Sequence, residues 1–164
     1  MRTGRHGAAA KAGHDLVLEV TAWQATLDVG EDVGQVKLEL AADPRSLRVR
    51  EGRGGVQPLS EDDKADIHKT IDDDVLRGGA VEFQSTAVEA ADGGARLRVN
   101  GDLDIAGTRR PLTFELSVGS DGQVSGSASV KQTDWGIKPY SALFGALKVT
   151  DEVEVEVQTT RLPA

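Results

Sequence analysis

The sequence predicts an all-β protein, an antiparallel sandwich or barrel with a single helix in one of its connections. Three observations support this fold class. Apolar residues alternate with charged or polar ones at period two in a series of runs along the 164 residues, which is the pattern of strands with one buried and one wet face. Turn-forming residues separate these runs. Helix signals dominate in one segment only, residues 60–77.

The alternating runs predict about seven to nine strands of about six to ten residues each. Leu, Phe and Val alternate with polar residues over residues 112–118, and Val alternates with Glu over residues 152–157. Further runs of this kind occupy residues 16–20, 36–40, 96–105 and 124–130. Regular hairpins favour a barrel over a sandwich, because closure removes exposed strand edges.

The apolar parity changes once near the start of the chain. It follows Leu18 and Val20 and then shifts to Trp23 and Leu27. One extra residue would cause this shift, so we expect a bulge or sharp bend near residues 21–22.

Turn residues mark the ends of the strands. The clearest signals are Asp43-Pro44, Asp92-Gly93-Gly94, Ala106-Gly107-Thr108 and Ser120-Asp121-Gly122. Asn100-Gly101 is also a strong hairpin dipeptide. However, the apolar parity continues through it from Leu97 to Ile105. We therefore predict one long strand that bends at Gly101, where an inward side chain would crowd its neighbours.

The predicted helix spans residues 60–77. Ser60 is a good N-cap, and three acidic residues follow it in the first turn, where the helix dipole favours them. Ile67, Ile71 and Val75 repeat at a spacing of four on one face. Gly78-Gly79 ends the segment.

Composition excludes several classes of protein. There is no Cys, so disulfides and thiolate sites are impossible. The net charge of −8 argues against nucleic acid as the main partner. No apolar run is long enough to span a membrane, and the N-terminal residues lack the apolar core of a signal peptide. We expect one cytoplasmic domain over residues 1–164, with a core that is poor in aromatics (4% of residues).

Few residues suggest chemistry. His68 and Asp72 are four apart on the helix and could offer two metal ligands, or they could form an ordinary surface pair. Consecutive acids at residues 72–74 point in different directions, so surface charge is the better interpretation. No nucleophile or phosphate-binding motif is present, and parity puts almost no carboxylate inside. The sequence thus predicts neither an enzyme nor a cofactor or metal.

The predicted inward face is apolar and uncharged. Its members are Leu16, Leu18, Val20, Val36, Leu38, Leu40, Val81, Phe83, Leu97, Val99, Leu103, Ile105, Leu112, Phe114, Leu116, Val118, Val153, Val155 and Val157. Residues 124–130 add small Gly126 and Ala128 between Val124 and Val130. Such a face belongs either to a filled core or to a barrel with an apolar cavity.

Four segments in the same order resemble motifs of the YceI family, a lipocalin-like group of polyisoprenoid-binding proteins. Residues 81–86 resemble its "ixFxSt" strand, and residues 99–114 its "tGdLtixGvtkpvtl" hairpin. Residues 134–137 resemble its "R-x-d-f-G-i" segment, and residues 147–155 its "vxigdeVxixi" last strand.

This resemblance implies an eight-stranded antiparallel lipocalin-like barrel whose apolar pore holds an isoprenoid or a similar amphipathic lipid. The residues expected to bind it are Leu18, Val20, Leu38, Phe83, Val99, Leu103, Phe114, Leu116, Ala128, Val130, Trp135 and Tyr140. A polar head group would lie at the mouth. Tyr140, Lys138, Lys131 and Arg109 are the candidates for that rim, with ordinary solvated surface as the alternative.

The sequence allows two placements of Trp23 and Trp135. They could line the pore, but we expect them to plug one end or to join the core.

The sequence also allows more than one function. The protein could carry a lipid, or it could be a filled barrel that acts as a stress-related or structural interaction module. An enzyme acting on a lipid is the weakest alternative. A homodimer through an outer strand face is compatible with any of these functions.

Overall fold

The computed structural model describes residues 1–28 and 36–159. The chain forms a series of strands with one α-helix in a connection, as the sequence predicts. The strands are β1 Arg2–His6, β2 Asp15–Val20, β3 Trp23–Asp28, β4 Lys37–Ala42, β5 Leu47–Arg53, β6 Val81–Ala91, β7 Arg96–Ile105, β8 Thr108–Val118, β9 Val124–Lys131, β10 Ser141–Ala142 and β11 Leu147–Gln158. Helix α1 covers Glu61–Thr70 and continues into a wider π-helical turn over Ile71–Leu76.

All strands belong to one curled antiparallel sheet. Its order is β3-β4-β6-β7-β8-β9-β11-β1-β2-β5, and the short β10 pairs with β11. The described residues form eleven strands of this sheet, so the expected count of eight needs correction. Two of the three additional strands arise because each strand of one long hairpin is divided in two: β2 pairs with β5, and β3 pairs with β4. Val20 lies opposite Leu47, and Trp23 lies opposite Ala42. The third additional strand is the two-residue β10.

A corner at residues 21–22 and 43–46 separates the halves of this hairpin. The backbone N–H of Ala22 donates to Ser46 Oγ at 2.9 Å, and the Thr21 hydroxyl donates to the Ser46 carbonyl at 3.0 Å. Ser46 Oγ in turn donates to the Asp43 carbonyl at 2.7 Å. The bend predicted near Thr21 is therefore confirmed. Because β3 follows β2 and β5 follows β4, the two ends of the sheet are joined along the chain.

Strand β7 runs without a break through Asn100-Gly101, so the long-strand prediction is confirmed. A Cβ on Gly101 would lie 2.4 Å from both Phe83 Cζ and the Gln84 carbonyl oxygen. The register of β6 against β7 shifts opposite this glycine, between Ser85 and Ala87. Gly101 is thus a point of close approach inside a bulged strand pair.

Helix α1 begins with a capping box. The Asp63 backbone N–H donates to Ser60 Oγ at 3.1 Å, while the Ser60 N–H donates to Asp63 Oδ2 at 2.8 Å. The hydrogen bonds from Ser60 hold the pKa of Asp63 below its ordinary value. Within the described residues, no helix is long and apolar enough to cross a bilayer.

The buried side chains form two clusters. The larger one extends over β4, β6, β7, β8 and β9, and Val99 at its centre is completely buried. The smaller one consists of Leu18, Leu47 and Val49, and Ile67 and Ile71 of the helical segment pack against it. Segment 60–77 therefore covers one part of the buried face of the sheet.

Replacement of Gly101 tests the close approach to Phe83. We expect Gly101→Ala to lower the free energy of unfolding by about 1–3 kcal/mol, because the added methyl must displace an aromatic ring and a backbone carbonyl. Urea unfolding measures the change. Arg98→Ala, at an exposed position of the same strand, is the control and should change stability by about 0.5 kcal/mol or less. Equal effects of the two substitutions would contradict the packing described here.

Loss of the helix cap should be detectable in the same assay. Ser60→Ala removes the acceptor of the Asp63 backbone N–H, and we expect a loss of about 1 kcal/mol in unfolding free energy at neutral pH. Ser60→Asp supplies an alternative cap and should retain most of the stability. A Ser60→Ala protein as stable as the parent would show that α1 does not need this box.

Candidate functional site

The apolar face predicted from alternation is the buried face of the sheet. All nineteen of its predicted members are buried or half-buried in the structure. Among the described residues, the only fully buried polar side chains are Ser46 and Gln132, and neither is charged. A face of this kind favours contact with hydrocarbon over acid–base chemistry.

The burial of inward-facing side chains differs between two groups of neighbouring strands. Most inward side chains of β6 and β7, including Phe83, Leu97 and Val99, are buried. Those of the adjacent strands β8, β9 and β11 are mostly half-buried. We call the latter the half-buried wall, and it consists of Leu112, Phe114, Val118, Gly126, Ala128, Val155 and Val157.

The half-buried wall is continuous across three strands. Val155 lies opposite Ala128 and Val157 opposite Gly126, while Leu116 lies opposite Gly126 on the other side. Outward neighbours such as Glu115, Ser127 and Glu156 are exposed. Since these inward side chains keep part of their surface accessible, the interior is not completely packed along this wall.

Gly126 leaves less room than its size suggests. A Cβ at this position would lie 2.6 Å from Leu116 Cδ2, so the Leu116 side chain already occupies the space. Of the two small residues in β9 expected to leave room, Ala128 remains the better candidate.

An aromatic pair joins the filled and the half-buried sides. The rings of Phe83 and Phe114 meet edge to face, with centroids 5.2 Å apart and an interplanar angle of 61°. Phe114 is half-buried and belongs to the half-buried wall, whereas Phe83 is buried. This pair therefore connects the buried side chains of β6 and β7 with the half-buried wall.

The twelve residues predicted to bind a ligand fall into three groups. Most belong to or flank the larger cluster: Leu38, Phe83, Val99, Leu103, Phe114, Leu116, Val130 and Trp135. Leu18 and Val20 contact the smaller cluster under the helical segment. Ala128 is half-buried on β9, and Tyr140 is exposed, outside both clusters. The predicted inward face omitted the buried residues Leu47 and Val49, although apolar and charged residues alternate in Leu47-Arg48-Val49-Arg50.

The two tryptophans have different environments. Trp135 is only 6% exposed, and its Nε1–H donates to the Leu103 carbonyl at 3.0 Å. It joins the core at the end of the sheet, as expected. Trp23 is 39% exposed, so the expectation that it plugs or joins the core is wrong. It lies on β3, an end strand in the sheet order, all but one of whose residues are exposed.

A carboxylate holds the turn that positions Trp135. The Thr133 hydroxyl donates to Asp151 Oδ2 at 2.6 Å, and the Thr133 backbone N–H donates to Asp151 Oδ1 at 2.9 Å. The Thr133 hydroxyl is the main reason that the pKa of Asp151 lies below its ordinary value. This carboxylate is thus a structural acceptor that connects β11 to the Trp135 turn.

The residues proposed for a rim are all exposed, and strand register places them at one end of the sheet. Arg109 lies at the start of β8 and Lys131 ends β9, while Lys138 and Tyr140 follow in the connection to β10. Arg109 Nε lies 3.8 Å from Asp104 Oδ2. The four residues therefore share an end of the barrel.

The polar candidates from the sequence do not assemble a metal site. His68 Nε2 lies 3.2 Å from Arg48 Nη1 and 3.3 Å from the Arg45 carbonyl oxygen, and its hydrogen-bond partners do not include Asp72. Lys69 pairs with Asp73 instead. Across residues 1–28 and 36–159, no group of three or more His, Asp or Glu side chains is arranged to hold a metal ion.

Two grooves occur on the outside of the sheet. One of about 350 Å³ is bordered by outward residues including Glu39, Glu82, Asp102 and Asp104. The other, of about 240 Å³, lies between Glu89, Arg96 and Glu115. Both are lined mainly by polar side chains, so neither is the apolar cavity that the sequence suggested.

The curled antiparallel sheet and its uncharged buried face define a β-barrel-like class of protein. The YceI-like domain matches residues 4–161, and the chain therefore belongs to the YceI-like family. The family assignment that residues 81–155 suggested is confirmed.

Solved structures agree with this assignment at the level of the fold. The crystal structure of Burkholderia cenocepacia BcnA has a TM-score of 0.65 at 15% identity, covering 96% of this chain and 93% of that chain. The Campylobacter jejuni YceI protein has a TM-score of 0.61 at 14% identity, covering 87% of this chain and 82% of that chain. No curated protein matches the sequence.

The buried tryptophan hydrogen bond gives a matched experiment. Trp135→Phe keeps a ring but leaves the Leu103 carbonyl without its donor, and we expect a loss of about 1–3 kcal/mol in unfolding free energy. Trp23→Phe, at the exposed tryptophan, should cost about 0.5 kcal/mol or less. Denaturant unfolding of both variants decides the matter, and a reversed order of effects would contradict the placement of Trp135.

Proposed function

We propose that this protein binds an isoprenoid or another amphipathic lipid without chemical conversion, with the hydrocarbon chain against the half-buried wall. The observation that carries the proposal is the partial burial of Phe114, Ala128, Val155 and their neighbours. These apolar side chains face inward in a chain of the YceI-like family, yet part of their surface stays accessible. A hydrocarbon chain would cover this surface and exclude water from it.

The energetics are sufficient for useful affinity. Burial of one five-carbon isoprene unit contributes at most about 4 kcal/mol. Losing translational and rotational freedom costs about 4–15 kcal/mol, and ordering of the chain adds to this cost. Three or four units against the half-buried wall contribute at most about 12–16 kcal/mol, which supports a dissociation constant of roughly micromolar when the cost lies near the lower end of that range. We assign the polar head to the end of the sheet where Arg109, Lys131, Lys138 and Tyr140 lie.

The second candidate is a filled barrel that works as a structural or stress-related interaction module. It is favoured by the solid packing of β6 and β7, where Val99 has no accessible surface, and by the position of Leu116 over Gly126. The two functions differ in one measurable respect, because only the first requires a ligand inside the sheet.

A substitution within the half-buried wall tests the first function. Ala128→Phe fills the space beside Val155, and we expect it to weaken binding of geranylgeraniol at least about tenfold in a calorimetric titration, since each displaced methylene costs about 0.8 kcal/mol. Ser129→Phe is the matched control: the same residue type is added to the neighbouring, outward position of β9, and affinity should be unchanged.

Native mass spectrometry of the purified protein supplies the independent result. A co-released apolar species of a few hundred daltons supports lipid binding. A protein that contains no such species, and whose melting temperature does not respond to geranylgeraniol, supports the filled barrel instead. Equal weakening by Ala128→Phe and Ser129→Phe would place the ligand away from the half-buried wall.

A further inference from the structure

Two turns of this chain have the same backbone conformation but opposite chemistry. Residues 92–95 connect β6 to β7, and residues 143–146 connect β10 to β11. The φ angles are 52°, 67° and 93° at Asp92, Gly93 and Gly94. They are 51°, 54° and 87° at Leu143, Phe144 and Gly145. In both turns the fourth residue is an alanine whose N–H donates to the first carbonyl.

The left-handed conformation explains the residues of the first turn but not those of the second. Positive φ favours Gly, Asn and Asp, as in Asp92-Gly93-Gly94. Leu143 and Phe144 adopt the same angles against their steric preference. Burial does not compensate for this: Leu143 is 57% exposed and Phe144 is fully exposed. The protein thus keeps two large apolar side chains at a turn tip where neither conformation nor packing requires them.

The tip is held firmly at its base. Ser141 and Ala142 pair with Lys148 and Leu147, and the Val149 N–H donates to the Tyr140 carbonyl at 2.9 Å. On the other side, the Ala9 N–H donates to the Ala146 carbonyl at 2.8 Å. The hairpin therefore presents Leu143 and Phe144 on a braced support, with exposed Tyr140 beside its first strand.

The charges around this hairpin differ from those of the rest of the protein. All 27 Asp and Glu residues lie outside residues 1–14 and 135–150. The structure brings these two acid-free segments together, since β1 pairs with β11 and His6 lies opposite Lys148. Lys11, Lys138 and Lys148 are exposed there. Although the net charge is −8, the charged side chains that residues 135–150 themselves contribute are all cationic, and acids further than about 10 Å from them are screened at moderate salt.

We propose that the Leu143–Phe144 turn is a membrane-docking tip that inserts into the interface of an anionic lipid bilayer. An apolar tip flanked by lysines, with an amphipathic tyrosine next to it, matches the hydrocarbon boundary and the anionic head groups of such a surface. Lipid is favoured over a protein partner because the tip is small and convex and because only cations surround it along the chain. The proposal does not depend on a ligand inside the sheet.

A variant that replaces both apolar residues of the turn tests their contribution to binding. Leu143→Asn combined with Phe144→Gly gives residues that favour positive φ, so the variant should fold and should melt no lower than the parent. Binding of the full protein to vesicles of phosphatidylglycerol and phosphatidylcholine is measured by co-sedimentation. We expect the double variant to bind at least about tenfold more weakly. It lacks the two large apolar side chains whose transfer from water into the bilayer favours binding.

A second pair of variants tests the charge contribution. Lys138→Gln and Lys148→Gln should each weaken binding to the anionic vesicles about fivefold, and high salt should have the same direction of effect. Lys37→Gln is the control, because Lys37 is exposed on β4, outside the acid-free segments, and it should not change binding. Pure phosphatidylcholine vesicles should bind the parent protein more weakly than the anionic ones.

Three outcomes would overturn the proposal. The parent protein does not sediment with anionic vesicles at low salt, or the turn double variant binds them as tightly as the parent. In the third, analytical ultracentrifugation shows that the parent is a dimer and the double variant a monomer, and the parent does not bind vesicles. The tip is then a self-association surface. Failure of Ala128→Phe to affect geranylgeraniol binding would leave these results unaltered, so the two proposals stand or fall separately.

Discussion

The ring of Phe83 over Gly101 is the contact on which the rest of the interior depends. It occupies the space that a side chain at position 101 would need, and it meets Phe114 edge to face on the next strand but one. The register shift at residues 85–87 accommodates this approach in β6. Because one aromatic ring fills this side of the interior, β6 and β7 pack solidly while β8, β9 and β11 keep accessible apolar surface. With few aromatic residues in the chain, the positions of the rings decide where the interior is closed.

The ends of the sheet are built from polar contacts that fix apolar groups. Asp151 holds the turn of Trp135 through Thr133, and Ser46 holds the corner between the halves of the long hairpin. Each group satisfies backbone donors that bending has removed from the strand ladder. A similar structural cause, hydrogen bonds from Ser60 and from Thr133, lowers the pKa of the Asp63 and Asp151 carboxyls.

Alternation predicted the buried face well, because side chains in a strand point to opposite sides whatever the register. The bend near Thr21, the long β7 and the Ser60 cap were also predictable, since each rests on a local signal. The strand count was not predictable. The corner divides both strands of one hairpin at neighbouring positions, and apolar and polar residues still alternate within each of the four resulting strands. Trp23 shows a related limit: its parity is that of a core residue, but it lies on β3, at the end of the sheet order, and is exposed. The conformation of Leu143-Phe144 could not be foreseen, since apolar residues rarely adopt positive φ.

Segment 60–77 has a consequence for access to the interior. Neither α1 nor the π-helical turn after it contributes a fully buried side chain, and the contact with Leu18, Leu47 and Val49 is made by half-buried Ile67 and Ile71. By contrast, β6 and β7 share a ladder along nearly their whole length. Local opening costs least where few apolar contacts must be broken, so the helical segment detaches at a lower free energy than β6 or β7. Water can therefore reach the side chains under this segment while the ladder between β6 and β7 stays paired.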